Sequence, residues 1–316
     1  MKTMRFALLI PIVIIVMVIG AIIPLVVKIS YLYFAGFIVL MYITLATAWN
    51  ILGGYAGYVN FGTAGFFGLA AYLSAFLLES VGVSLPVALL AGGAISAALG
   101  LGIGYSTLKL RGIFFAIATL ALAIVIQMII INTPAVGGAV GFYTLRPPPP
   151  PPYTNYLEFL FVVMLGIALA SIVTSRAIEK SKIGRGLIAL RDDETAAECM
   201  GVPVFKLKLL AAGLSGFFMG LAGAPYPYYI TYMEPISVFS LDISVNAVAM
   251  PLIGGLGTWI GPLIGAAIVA AIQQAVTVTI GSELNLVIIG VLLVAFVVAA
   301  PYGIVGLIRE RIRRLS

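Results

Sequence analysis

The 316 residues are 62% hydrophobic and only 9% charged, whereas soluble domains carry about 25% charged residues. No water-soluble core of this length buries so much apolar surface, so lipid must solvate the outer faces of the helices. The formal charge of +6 does not mark a nucleic-acid partner, because orientation in a bilayer accounts for where the basic residues sit. Histidine is absent, which removes the commonest metal ligand and general base, and the lone Cys199 excludes an internal disulfide.

The expected fold is all-α, a polytopic membrane protein forming one transmembrane domain over residues 1–316. A span needs about 20 apolar residues, and ten segments qualify as spans or partial spans. In chain order they are Phe6–Val27, Tyr31–Leu52, Thr63–Leu78, Leu85–Leu108, Gly112–Ile131, Tyr156–Thr174, Leu209–Ile230, Ile243–Leu256, Leu263–Ile280 and Leu284–Gly306. The first exceeds the about 7–15 apolar residues of a cleaved signal peptide and reads as a retained span. Thr63–Leu78 and Ile243–Leu256 are short, and each is either a full crossing or a re-entrant or broken helix. The only charged side chain inside these segments is Glu158, close to an end.

Lysine and arginine set the orientation. With both termini cytoplasmic, only Lys28 and Arg146 fall outside, so 15 of the 17 basic residues lie on one side. Residues 132–155 become an external loop, and within it Pro147–Pro152 predicts an extended polyproline II spacer. Residues 175–208 become a large charged cytoplasmic loop. Two glycine-rich stretches, Gly53–Gly62 and Gly254–Pro262, join spans with almost no charge. Glycine there permits tight turns and close helix approach, which singles out Gly54, Gly57, Gly62, Gly254, Gly255, Gly257 and Gly261.

In the charged loop Leu187, Leu190 and Glu194 recur at helical spacing, as do Thr195, Cys199 and Val202. Ala196-Ala197 favours helix, and Gly201 followed by Pro203 is a stop signal. This predicts one short helix or a pair under the spans; the alternative is a solvated connection with no partner.

Four blocks then resemble, in order, the LivM-like permease subunits of branched-chain amino acid ABC importers. They are Gly54–Gly68 (GYAGYVNFGTAGFFG), Leu110–Ala121 (LRGIFFAIATLA), Gly184–Gly201 with Lys208–Leu210 and Gly220–Ala224, and Gly254–Ala266 (GGLGTWIGPLIGA). Together they cover about Ala35 to Gly306. The resemblance implies a heterodimer with a second permease subunit in the plasma membrane, with two ABC ATPase subunits below and an extracytoplasmic substrate-binding protein outside. It also implies that the loop helix docks in a groove of the ATPase, through a signature of Glu-Ala-Ala, three residues, then Gly. Here Thr195-Ala196-Ala197 precedes Glu198-Cys199-Met200-Gly201, so Thr195 replaces the first glutamate and Glu194 lies one residue earlier. The expected ATPase contact is Glu194, Thr195, Ala196, Ala197, Glu198 and Gly201. Many relatives have histidine where this chain has Thr63, so no imidazole role transfers.

No lysine sits in a phosphate-binding Gly-Lys-Ser/Thr context, so the chain has no ATP site of its own. It is read as a transport subunit needing no cofactor and no metal, not as an enzyme. A proton-coupled carrier usually keeps ionisable groups in its spans, and these hold almost none. An ATP-independent carrier coupled to sodium stays open as the alternative class, and a urea or short-amide permease as the alternative within the family. A zwitterionic amino acid needs neutral hydrogen-bonding groups along an apolar path. Asn50, Tyr55, Asn60, Thr63, Gln127, Asn132, Asn246, Gln273 and Gln274 are the polar residues in or beside the spans. Tyr55, Asn60, Thr63 and Asn246 are taken as the pathway candidates; the alternative role for each is to glue helices together.

Overall fold

A computed structural model describes residues 9–27, 29–107, 110, 112–279, 290–291 and 303–307. The apolar stretches become helices because no other open-ended backbone satisfies its own N–H and C=O groups in lipid. Helix α1 (Leu9–Val26) is followed by α2 (Ser30–Asn50), which continues as a π-helical turn, Ile51–Tyr55. Helix α3 (Thr63–Phe76) ends in a second π turn, Leu77–Val81, and is followed by α4 (Leu85–Thr107) and α5 (Ile113–Ile131). Helix α6 (Tyr156–Lys180) leads into two short helices, α7 (Lys182–Asp192) and α8 (Glu194–Cys199). Then come α9 (Val204–Gly223), α10 (Tyr226–Ile230), α11 (Pro235–Val238), α12 (Leu241–Gly254) and α13 (Gly261–Thr279).

Among the described residues seven helical segments are long and apolar enough to cross a membrane, and α1 and α13 each contribute a shorter apolar stretch. Most of the tenth expected span, Leu284–Gly306, lies outside the described residues. So do Lys2, Arg5, Lys28, Lys109, Arg111, Glu283 and the basic stretch from Arg309.

Three expectations change in detail. The Thr63–Leu78 segment is not short: the π turn carries it to Val81, 19 residues in all. The Ile243–Leu256 segment is the second half of a broken helix, because the chain bends at Phe239–Ser240 between α11 and α12. The proline run is not extended throughout. Tyr153 N–H donates to the Pro150 carbonyl at 3.1 Å, closing a turn over Pro151 and Pro152.

Small residues at intervals of four let helices touch backbone to backbone. Gly92, Ser96 and Gly100 of α4 face Ala212, Gly216 and Gly220 of α9. A Cβ on Gly216 would lie 2.5 Å from the Ser96 carbonyl, and one on Gly220 would lie 2.5 Å from that of Gly92. Helices α12 and α13 cross in the same way, with Gly254 against the Gly261 carbonyl and Gly265 against that of Met250. Such interfaces replace a hydrophobic driving force that lipid does not supply.

The loops sort to two ends of the bundle. At one end Gly54, Gly257, Trp259 and α7 meet. At the other, strand β1 (Phe142–Tyr143) pairs antiparallel with β2 (Tyr232–Met233), and Leu145 N–H donates to Glu79 at 3.0 Å. There Arg146 donates to the Tyr228 carbonyl at 2.6 Å and to the Tyr229 carbonyl. Burial pushes this guanidinium below its ordinary pKa. Asn155 caps α6 in a box with Glu158, which explains why that carboxylate is tolerated inside an apolar segment.

Candidate functional site

Helix α6 runs past Ser175 to Lys180, and α9 already begins at Val204, so the charged connection narrows to Ser181–Pro203. Ser181 turns the corner: its hydroxyl accepts from Gly184 N–H at 3.2 Å and donates to the Ile178 carbonyl at 2.8 Å. Helix α7 then buries Gly184, Leu187 and Leu190 on one face. Asp193 separates the two helices and caps α8 through Ala196 N–H at 3.0 Å. Gly201, at φ +80°, ends α8 as a left-handed C-terminal residue, and Val202 N–H returns to the Ala197 carbonyl at 3.0 Å. Of the expected single short helix or pair, the structure has the pair, and the stop signal is present.

Helix α8 has two faces. Thr195, Ala196, Glu198, Cys199 and Gly201 are exposed, and Met200 at the tip is 84% exposed. Ala197 is buried, and Glu194 turns inward. One Glu194 oxygen pairs with the Lys208 ammonium, which is only 3% exposed. The other accepts from the Tyr58 hydroxyl at 2.9 Å, and Lys208 sits 4.7 Å over the Tyr58 ring. Glu194 thus ties α8 to the first glycine-rich stretch and to the start of α9. Of the six residues expected to meet a partner, Thr195, Ala196, Glu198 and Gly201 share the free face, while Glu194 and Ala197 do not. Met200 belongs with them; its exposed apolar side chain beside Gly201 was the available signal.

Helix α7 makes a second attachment. Arg191 donates to the Gly54 carbonyl at 3.0 Å. Its stem fills the space over Gly57, where a Cβ would lie 2.6 Å from Arg191 Cγ, and its head lies against Gly257. Gly57 and Gly257 adopt φ +79° and +68°, which L side chains rarely do. The fully buried Asn50 joins the two glycine-rich stretches directly. Its oxygen accepts from Gly257 N–H at 3.1 Å, and its amide donates to the Thr258 carbonyl at 3.0 Å. Gly54 has no room for a side chain between Asn50 and Gly257. Glu179 completes the junction by accepting from Trp259 N–H at 2.7 Å and from the Tyr55 hydroxyl at 3.3 Å. Gly255 and Gly261 lie in contact in the same turn, the hydroxyl of Thr258 bridging them.

The sequence profile of the branched-chain amino acid transport system permease component matches residues 30–297. The chain belongs to this permease family. It is 25% identical over 302 residues to the high-affinity branched-chain amino acid transport system permease protein LivM of Salmonella typhimurium, covering 88% of this chain and 70% of that protein. The Escherichia coli LivM gives 25% over 299 residues, covering 87% and 70%. A probable branched-chain amino acid transport permease protein LivH of Methanocaldococcus jannaschii is 28% identical over 169 residues, 51% of this chain and 52% of that one. No solved structure matches the chain.

The permease's other polar residues are now placed. Tyr55 is fully buried and belongs to the junction through Ser175 and Glu179. Asn60 shapes the break: its side-chain oxygen accepts from Gly62 N–H at 2.7 Å, and its carbonyl accepts from Trp49 Nε1 at 2.7 Å. Gly62 packs its backbone on the Thr119 carbonyl. Asn246 accepts from Gln273 at 2.8 Å, linking α12 to α13. Asn132 closes the end of α5 on the Met128 carbonyl at 2.7 Å, and the Gln274 carbonyl accepts from Tyr31 at 3.5 Å. Thr63 is fully buried, and its hydroxyl has no hydrogen-bond partner. Tyr55, Asn60 and Asn246 therefore spend side-chain hydrogen bonds within the fold, while among the described residues the side chains of Thr63 and Gln127 make none.

Proposed function

We propose that this permease is one half of an ATP-driven importer of leucine, isoleucine, valine or another small amino acid. Its partners are a second permease subunit, two ABC ATPase subunits and an extracytoplasmic substrate-binding protein. The membrane is the plasma membrane, with both termini cytoplasmic. The observation that carries the reading is the double attachment of α7–α8. The exposed face, Thr195, Ala196, Glu198, Met200 and Gly201, is free to dock, while Arg191 and Glu194 bind the same unit to the first glycine-rich stretch. A push on α8 from an ATPase that closes on ATP is delivered through Gly54 and Tyr58, and through Asn50 to Gly257 and Thr258. Helices α3 and α13 start directly after these two stretches, so the motion reaches the bundle interior. At the opposite end Val140, Tyr143 and Leu145 stand 73–80% exposed, an apolar patch suited to a docking protein.

The assay is uptake by proteoliposomes that contain both permeases and both ATPases, with the binding protein outside and ATP within. Leucine should accumulate only with all parts present. Concentration of leucine by this chain alone without ATP would assign it to the secondary carriers instead. Uptake of urea or short amides in place of leucine would move the substrate and keep the mechanism.

A further inference from the structure

A cavity of about 330 Å³ opens between α3, α5 and the bend that joins α11 to α12. That is within the range of about 300–1,000 Å³ in which small-molecule sites fall. Phe61, Leu120 and Phe239 form apolar walls, and Gln127, Ser240 and Ser244 supply polar groups. No lysine or arginine lines it.

Its depth follows from helix geometry. Phe61 N–H donates to the Thr119 hydroxyl at 3.1 Å, and Thr119 is the seventh residue of α5. At 1.5 Å per residue this puts the start of α3 about 9 Å along α5. Helix α12 has 14 residues, so it is about 21 Å long, shorter than the roughly 30 Å hydrocarbon layer. Two helices of opposite direction therefore begin inside the membrane, and both begin at this cavity. Ala64 N–H, in the first turn of α3, donates to Ser244 of α12 at 3.0 Å and locks the two starts together.

Two polar side chains there remain unused. Gln127 lines the cavity from a transmembrane helix, and its side chain makes no hydrogen bond to the described residues. A bare amide facing hydrocarbon costs several kcal/mol, so this wall faces water or ligand and not lipid. Ser240 occupies the position before α12, yet its hydroxyl does not cap the helix. Two helix N-termini make a site of partial positive charge without a fixed cation. Such a site binds an anion without holding it permanently. Asp242, exposed in the first turn of α12 and outside the lining, opposes an anion.

We propose that this cavity holds the α-carboxylate of the amino acid in transit, with the start of α12 and the Ser240 hydroxyl as donors and Gln127 beside them. The proposal deepens the importer reading and rests on it for the identity of the anion. The test places a cysteine in the cavity, in a Cys199→Ser background, as Gln127→Cys and separately as Ser240→Cys, in the reconstituted complex. Each is treated with anionic methanethiosulfonate ethylsulfonate and with its cationic trimethylammonium counterpart, and the rates are normalised to a free thiol. The expected result is reaction with both, at least threefold faster with the anion, a ratio that grows with Asp242→Asn, and protection by leucine delivered on the binding protein. Equal rates, a preference for the cation, or no reaction both without ATP and with ATP and vanadate would overturn it. If the anion preference holds while the wild-type complex takes up no leucine, the importer reading fails and the anion site stands. If leucine uptake holds and the preference is absent, only this inference fails.

Discussion

Replacing Glu194 with leucine removes the carboxylate that pairs with the Lys208 ammonium, only 3% of which reaches solvent. Removing one partner of a buried ion pair costs about 3–5 kcal/mol, because the other charge is left uncompensated. Glu194 itself is 16% exposed, which places the expected cost near the lower end, about 3 kcal/mol. Loss of the Tyr58 acceptor at 2.9 Å acts in the same direction. Replacing both residues, Glu194→Leu with Lys208→Met, removes the desolvated charges together and should restore stability to within about 1 kcal/mol of the native chain. The cycle thus predicts a coupling of about 5 kcal/mol between the two positions. Thermal midpoints of the purified complex, read for the native chain, both single variants and the double variant, measure it. At roughly 2–4 °C per kcal/mol, the single variants should fall by about 6–12 °C and the double should recover most of that. Additivity within about 0.5 kcal/mol would refute the inward orientation of Glu194. So would single changes costing under about 1 kcal/mol, as expected of an exposed pair.

Other consequences are as direct. Asn50→Leu leaves the Gly257 N–H and the Thr258 carbonyl unpaired in a buried place, at about 1–3 kcal/mol each, and should lower the thermal midpoint more than Asn50→Asp does. Gly216→Val drives a side chain into the Ser96 carbonyl and should abolish the folded protein by size-exclusion profile, whereas Gly102→Ala, with nothing within 4 Å, should be silent. Met200→Ala should leave the thermal midpoint unchanged but cut ATPase co-purification at least tenfold, since burying a methionine contributes about 1.5–3 kcal/mol.

Much of this architecture is legible from local pattern. Apolar length marks the spans, glycine marks the breaks, and Gly201 with Pro203 marks the end of α8. The seam between α4 and α9 was also written in the chain, as Gly92, Ser96 and Gly100 at intervals of four. What local pattern does not carry is the partner of a polar side chain. Glu194 lies beside a docking motif, but its direction is set by Tyr58, 136 residues away, and by Lys208. Asn50 meets Gly257 across 207 residues; each stands out alone, but nothing local pairs them. The bend at Phe239–Ser240 has no glycine, and the only proline nearby, Pro235, sits in the first turn of α11, where proline is at home. The contacts that fix it are tertiary: Phe239 packs over Gly68, and Ser244 accepts from Ala64 N–H.

The claim that α7–α8 drives the glycine-rich breaks is tested most directly by Arg191→Ala in the fully assembled importer. The lost bond joins a guanidinium to the Gly54 carbonyl, and its side chain is 38% exposed. A charged hydrogen bond of about 1.5–3 kcal/mol, discounted by half for that exposure, leaves about 1 kcal/mol, or roughly a fivefold effect. The measurement is leucine transported per ATP hydrolysed. It should fall about fivefold while the ATPases remain bound and continue to hydrolyse ATP. An unchanged ratio in an intact complex would contradict the account.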